Sequence, residues 1–476
     1  MHKMKVCLID PPLIRSQCAG GFKRIANILP SLGLGYLAAV LKRDRFDVKI
    51  IDCRALNIDE DKLLGIIREE NPGLIGVTAT TLSFSSASSL ANKIKKILPG
   101  AFSVLGGPHI TAIPQEAMET SKFDAGIVGE GELPFLKLAR QMREGSPDPK
   151  SIENLIYREG NEIKINPLGK YIENLDELPF PARELFPSLS FYKPVVASYR
   201  KLPFAHMLTS RGCPFRCIFC DRKVFGNRCR ARSVENVLAE IEELVYKYGV
   251  REIKFFDDTF TVDKKKAFLI CEEIIKRKLK IAWSCLSHVR CVDEELLKQM
   301  KRAGCWQIGF GLESGDPAVL ASMKKGMTVE DSRNAVRWAK KAGLNVRCFF
   351  VIGMPVDTAE SIKRTLQFAK SLPIDIANFY NVTLYPGNEL FDIAQKEGTL
   401  LHKHWDQFCQ INIPDSVDIA YIPKGMTEKE LREISSVIHK RFYLRPKYIF
   451  QQLMQIRSLS DIRRYFDGFL AIALGI

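Results

Sequence analysis

What most constrains this chain is an alternation of short apolar strands with amphipathic helices, and the pattern occurs twice. In the first stretch, strands are expected at Lys5–Asp10, Asp47–Ile51, Leu74–Thr78, Phe102–Leu105 and Ala125–Val128. Helical periodicity lies between them, around Gly35–Lys42, Asp59–Glu70, Ser86–Leu98, Pro114–Glu119 and Leu133–Arg143. Parallel neighbours can be joined only by a crossover, and the crossover helix must cover a sheet face. Five such units therefore predict a doubly wound parallel sheet over 1–145. Ligands of these sheets sit beyond the carboxyl ends of the strands. Those ends carry Asp10-Pro11-Pro12, Thr78-Ala79-Thr80-Thr81, Gly106-Gly107-Pro108-His109 and Gly129-Glu130-Gly131-Glu132. Glycines and hydroxyls at several ends allow backbone to approach a bulky ligand, although tight βα turns alone would use the same residues.

The second run has six strands, at His206–Ser210, Glu252–Phe256, Ile281–Cys285, Trp306–Gly311, Asn345–Ile352 and Ala377–Leu384. Helices start near Ser233, Asp263, Asp293, Thr328 and Thr358; Thr328 with Asp331 makes a capping box, and Gly249, Gly304 and Gly343 follow helix ends. Six βα units over 204–414 predict a partial (β/α)6 barrel with its active site at the C-terminal strand ends. Residues 146–203 read as a connector with a strand pair at Leu155–Arg158 and Glu162–Ile165, and 415–476 read as helical.

The loop after the first barrel strand is Ser210-Arg211-Gly212-Cys213-Pro214-Phe215-Arg216-Cys217-Ile218-Phe219-Cys220. Three thiolates at this spacing can converge on one iron–sulfur cluster, and three ligands leave one iron of a cubane open. An open coordination position separates a reactive centre from a structural one. A zinc site or an electron-transfer cluster would need a fourth ligand, for which Cys229 is the candidate. The other ten of thirteen cysteines read as small buried residues with free thiols, fitting a reducing cytoplasm. No apolar run is long enough to span a bilayer.

With this loop on a barrel pattern, the segment 204–390 resembles the radical S-adenosylmethionine superfamily. The resemblance implies an enzyme with a [4Fe-4S] cluster on Cys213, Cys217 and Cys220. S-adenosylmethionine would chelate the open iron and yield a 5′-deoxyadenosyl radical. Phe219 matches an adenine contact, and Asp257 and Asp258 stand where the methionine amino group is held. Glu313 and Ser314 match the ribose contact and Gly353 the adenine side, while Lys325 and Arg290 are basic residues that could reach the carboxylate. No residue is assigned as a catalytic acid or base, because the cofactor carries the radical chemistry.

Residues 1–145 in turn resemble the cobalamin-binding domain, a Rossmann or flavodoxin-like sheet, that precedes many such barrels. The match rests on Asp10-Pro11-Pro12, Leu32-Gly33-Leu34-Gly35-Tyr36-Leu37-Ala38 and the glycine turns quoted above. It implies a corrin over the strand ends near Thr78, Thr80, Gly106, Gly107, Gly129 and Glu130. The Asp-x-His-x-x-Gly motif of an axial histidine is absent, and His109 is expected to cap a turn or face solvent. Methyl transfer to an unactivated carbon is the implied reaction, on a small-molecule or lipid-like substrate, with an electron donor of flavodoxin or ferredoxin type. Oxidative cyclisation or rearrangement without methyl transfer is the alternative. A methylthiotransferase fits less well, since no second three-cysteine cluster precedes the barrel.

Net charge is +15, and the basic residues are widely spread. They concentrate only at 441–466, where Arg441, Arg445 and Lys447 interleave with Phe442, Tyr443 and Tyr448. A metal-cluster protein that binds membrane or nucleic acid through this region is the reading from another class. Stacking platforms for nucleic acid are missing, so none is expected as a partner. A peripheral membrane contact competes with packing of the apolar face on the chain's own barrel, which is favoured.

Overall fold

The computed structural model describes residues 4–12, 29–192, 194, 198–397, 400–402, 404–407 and 419–453. The basic and aromatic residues expected at 454–466 lie outside these.

The first sheet has seven strands: β1 (Lys5–Asp10), β2 (Asp47–Asp52), β3 (Leu74–Thr78), β4 (Phe102–Gly106), β5 (Ala125–Ile127), β6 (Leu155–Glu159) and β7 (Glu162–Ile165). Their order is β2-β1-β3-β4-β5-β6-β7. The first five are parallel; β6 runs antiparallel to β5, and β7 to β6. The strand pair expected in the connector thus extends this sheet. Leu155 and Ile156 are apolar enough to cover the edge of β5, and both are fully buried. Apolar clusters cover both faces, one around Ile75, Leu90 and Leu105 and the other around Leu8, Leu41 and Phe135. The order reverses at β1 and β3, so the ligand crevice opens beside Asp10 and Thr78.

The second sheet contains β8 (Phe204–Met207), β11 (Glu252–Phe255), β12 (Ala282–Ser287), β13 (Cys305–Glu313), β14 (Asn345–Ile352) and β15 (Ile376–Asn381). All neighbours are parallel, in the order β8-β11-β12-β13-β14-β15, with both edges open. This is the partial barrel. Between β8 and β11 a two-residue antiparallel pair, β9 (Ser210–Arg211) and β10 (Arg230–Ala231), closes the cysteine loop. The helix-facing side of the sheet is dry: Val346, Cys348, Phe350 and Ile352 of β14 are buried. The other side of the same strand, Asn345, Arg347, Phe349 and Val351, is half-buried, so the concave face opens onto a lumen.

The capping box at Thr328 forms with Asp331, and Thr358 forms another with Ser361. The helix Glu428–Tyr443 packs its apolar side on the barrel: Phe442 is fully buried and the Tyr443 hydroxyl bonds both backbone groups of Ala377. The favoured packing reading holds for this part of the basic segment. Among the described residues, no helix is long and apolar enough to cross a membrane.

Candidate active site at the facing strand ends

The cysteine loop is shaped by backbone before any ligand enters. Gly212 has φ +85°, and a Cβ there would collide with the carbonyls of Arg228 and Phe225, so only glycine fits. Cys213 N–H bonds the Gly226 carbonyl at 3.4 Å, and Ile218 N–H bonds the Met323 carbonyl at 3.1 Å. Asp257, buried at the end of β11, accepts from Thr209 N–H at 3.0 Å, Thr209 Oγ1 at 2.7 Å and Ser210 Oγ at 2.6 Å. Its carboxylate orders the entry to the loop.

The three thiols differ. Cys213 is half-buried, Cys217 buried and Cys220 exposed. The Cys220 thiol donates to Cys217, which lowers the Cys217 pKa, and Lys325 nearby adds to this; Cys220 is raised in return. Cys217 is thus the readiest thiolate. Burial raises Cys213. Cys229 stands apart, bonded to Ser210 with Asp257, Lys266 and Asp263 as charged neighbours. Among the described residues no three His, Cys, Asp or Glu side chains converge tightly enough for a single metal ion. One loop presenting three thiols with no fourth donor suits a polynuclear cluster with an open corner better than mononuclear zinc.

Several expected residues gather here. Asp258 is exposed beside Cys213 and accepts from Gly212 N–H. Glu313, at φ +59° after a bulge in β13, pairs with Lys325, which also bonds the Gly311 carbonyl at 2.7 Å. A non-glycine residue held in the left-handed region is strained, as site residues often are. The Glu313–Lys325 pair lies within electrostatic reach of Cys217 and Cys220. Phe219 is half-buried against the barrel core, with its carbonyl fixed by Asn388 at 3.1 Å. Gly353 closes β14, its N–H held by buried Asp357.

Two expected contacts are not offered. Arg290 is exposed and bonds the Gly326 carbonyl at 2.6 Å. Ser314 is buried with its hydroxyl on Thr365, 2.9 Å away, because the bulge at Glu313 turns the next side chain toward the helix Ala359–Ser371.

At the first domain's strand ends, Gly107 has φ +100°, and a Cβ would come within 2.7 Å of the Ala79 carbonyl and 2.9 Å of Thr78 Oγ1. Gly107→Ala should therefore destabilise the domain by about 1–3 kcal/mol, read as a lower melting temperature of the full chain. Gly106 ends β4 beside it, and Thr80 is exposed with its backbone N–H bonded to Ser83. Gly129 lies against the cysteine-loop backbone, the Val224 carbonyl 3.8 Å from where its Cβ would be. The two sets of strand ends therefore face each other.

Glu130 needs correcting. Its carboxylate does not face the crevice; it bonds Arg211 and Arg230 at 2.8 Å each and Ile172 N–H at 2.9 Å. Glu132 bonds the second arm of Arg211 at 2.6 Å. The four side chains are 4–6 % exposed. They lock the first domain to the base of the cysteine loop. Sequence reasoning missed the roles of Glu132, Arg211 and Arg230; the acids and Arg211 stood in quoted strand-end segments, but Arg230 did not, and the pairing was not visible.

His109 is also corrected: it neither caps a turn nor meets solvent. It is fully buried, stacked on Phe84 at 4.0 Å with Trp405 edge-on at 5.7 Å, and its Nε2 has no hydrogen-bond partner. Burial pushes its pKa down to about 4. Since the unfolded histidine protonates near 6.5, the folded state loses stability as pH falls from 6.5 towards 4, on the order of 3 kcal/mol. His109→Phe should remove that loss. Chemical denaturation at pH 7 and pH 5 measures it: the variant's stability should fall less than the parent's.

Comparison with known proteins places these features. The Radical SAM superfamily model matches residues 207–369 and the B12 binding domain model residues 21–139. The chain is 37 % identical to an uncharacterized methyltransferase of Pyrococcus horikoshii, over 99 % of each chain. It is 29 % identical to an anaerobic magnesium-protoporphyrin IX monomethyl ester cyclase of Rubrivivax gelatinosus, over 87 % of this chain and 74 % of that one. Its fold is similar to that of TsrM, a radical S-adenosylmethionine methyltransferase of Kitasatospora setae solved with cobalamin and a [4Fe-4S] cluster, at a TM-score of 0.72 and 18 % identity, covering 94 % of this chain and 90 % of that one. With an open parallel barrel that bears a three-cysteine loop and faces a doubly wound sheet, the chain belongs to the radical S-adenosylmethionine enzymes that carry a B12-binding domain.

Proposed function

We propose that the chain is a cobalamin-dependent C-methyltransferase whose cluster is held by Cys213, Cys217 and Cys220. The observation that carries this is the facing of the two strand-end sets, with Gly129 against the loop that bears the thiols. When bound, the cluster and S-adenosylmethionine supply a 5′-deoxyadenosyl radical and cobalamin supplies a methyl carrier. The protein's part is placement. Cys217 offers the first thiolate, Asp257 and Gly212 fix the loop, and Asp258 and Glu313 give carboxylates for the amino and ribose groups of S-adenosylmethionine. Lys325 holds Glu313 in its strained position, Gly353 forms the adenine side, and Phe219 covers the adenine. In the first domain, Thr78, Thr80, Gly106 and Gly107 leave a shallow backbone shelf for the corrin at the switch point of the sheet.

The substrate is a small molecule. An acidic electron donor of flavodoxin or ferredoxin type fits the surface beside exposed Cys220, where Arg216, Arg222 and Lys223 face Asp221 and the Glu389 carboxylate is already taken by Lys324. All eleven described cysteines are free thiols, which supports a cytoplasmic setting. Exposed Phe450 and Ile449 on the helix Pro446–Leu453 are the only described support for a peripheral membrane contact.

Similarity to the Rubrivivax cyclase favours cyclisation as a second reading, at lower identity than the methyltransferase match. The test is anaerobic reconstitution of the full chain with iron, sulfide and hydroxocobalamin. Stoichiometric retention of cobalamin and formation of 5′-deoxyadenosine support the proposal. A chain that cleaves S-adenosylmethionine but retains no cobalamin would remove methyl transfer and spare the barrel chemistry.

A further inference from the structure

Lys254 and Arg347 project from the middle of β11 and β14 into the barrel lumen. Both belong to the inward-facing set, since their flanking residues Ile253, Phe255, Val346 and Cys348 all pack in the helix-covered core. Neither cation has an acidic partner among the described residues. Lys254 makes no hydrogen bond; its ammonium lies 5.2 Å from the Phe256 ring centroid. Glu252, the acid next to it on the inward face, is committed to the N–H groups of Arg200 and Lys201 and to the Trp306 indole. Arg347 bonds only neutral oxygens, Asn378 Oδ1 at 2.9 Å and Ser198 Oγ at 2.8 Å, and its guanidinium covers the Phe349 ring at 5.2 Å.

Two lumenal cations with no counter-charge are costly unless an anion completes them. Their mutual repulsion is felt: burial, then Arg347, brings the Lys254 pKa down to about 8. A third, independent group points the same way. Ser284, paired in register with Lys254 on the adjacent strand and 1 % exposed, has a hydroxyl without any partner. The wall above is aromatic, formed by Phe256, Phe349 and Tyr380, of which Phe349 and Tyr380 stack at 6.4 Å.

We infer that the lumen binds a substrate through a carboxylate or phosphate held by Lys254, Arg347 and Ser284, with a flat or apolar portion between Phe256 and Phe349 nearer the thiols. This rests on the proposed function for placing the reaction at the strand ends above. It narrows the substrate class to anions with an unsaturated or apolar body and disfavours neutral lipids.

The test is equilibrium binding to the reconstituted full chain of three matched probes: phenylphosphonate, phenylacetate and neutral 2-phenylethanol. The expected result is that at least one anion binds, that the alcohol binds roughly tenfold more weakly or worse, and that Lys254→Met weakens the anion by a similar factor. The better of the two anions identifies phosphate or carboxylate as the recognised group. Equal binding of alcohol and anions, no binding of any probe, or undiminished anion binding by a folded Lys254→Met protein would overturn the inference. If Lys254→Met does not fold, the selectivity of the parent protein decides alone. Cleavage of S-adenosylmethionine by the parent reports separately on the proposed function.

Discussion

Replacing Cys217 with Ala should leave a folded protein that takes up no cluster and makes no 5′-deoxyadenosine. Cys217 is the buried member of the trio and the one whose thiol is most readily ionised, because Cys220 donates to it and Lys325 lies close. A thiolate is the metal-binding form, so removing this sulfur removes one of the three ligands the cluster needs. The neighbouring backbone does not depend on the sulfur: Ile218 N–H and its carbonyl are held by Met323 and Leu390. Loss of activity should exceed the roughly 10–100-fold typical of losing an outer-shell partner of a metal site. Iron content, visible absorbance and 5′-deoxyadenosine yield read the loss, and far-ultraviolet circular dichroism should match the parent. The same substitution at Cys229, which contacts Ser210 and not the trio, should leave iron content unchanged.

Arg211→Met is expected to give the largest loss of stability of any single change in the interface. Arg211 bridges Glu130 and Glu132, and its guanidinium lies over Tyr36 at 4.9 Å and Phe225 at 5.2 Å. Without it, Glu132 is left buried with no described partner and Glu130 keeps only Arg230 and the Ile172 amide. Breaking one side of a buried ionic group costs about 3–5 kcal/mol, because a charge is stranded out of water. Exposed pairs such as Lys150–Glu159, screened by water, should cost far less when cut. Calorimetry of the full chain should show an earlier unfolding transition for Arg211→Met, since the seam holds one domain on the other. Neutralising the stranded acid as well, Glu132→Gln in the Arg211→Met background, should recover part of the loss, because Glu130 keeps Arg230.

Much of this arrangement was legible in the sequence, for reasons that can be named. Parallel strands buried on both faces, such as Val6–Ile9, are written as apolar runs, and crossover helices have their own period and caps, as at Thr328. The cysteine loop was legible because its ligands lie within eight residues and its register follows the first barrel strand. What was illegible depends on partners distant in the chain. A carboxylate at a strand end looks the same whether it meets a ligand or an arginine, and the partners of Glu130 come 81 and 100 residues later. His109 is buried because Trp405, nearly three hundred residues on, closes over it. Ser314 turned inward because of a bulge in β13 that no local propensity announces. The strands β6 and β7 were placed in position but not in a sheet, since edge pairing has no signature of its own.

The central claim is that three thiols on one loop hold an iron–sulfur cluster with one corner free. Electron paramagnetic resonance of the reduced, anaerobically reconstituted full chain, recorded before and after addition of S-adenosylmethionine, tests it most directly. The account predicts a [4Fe-4S] signal that shifts on addition, because the cosubstrate occupies the vacant iron. A cluster signal that does not respond, or a protein that binds zinc in place of iron with Cys229 as a ligand, would contradict it.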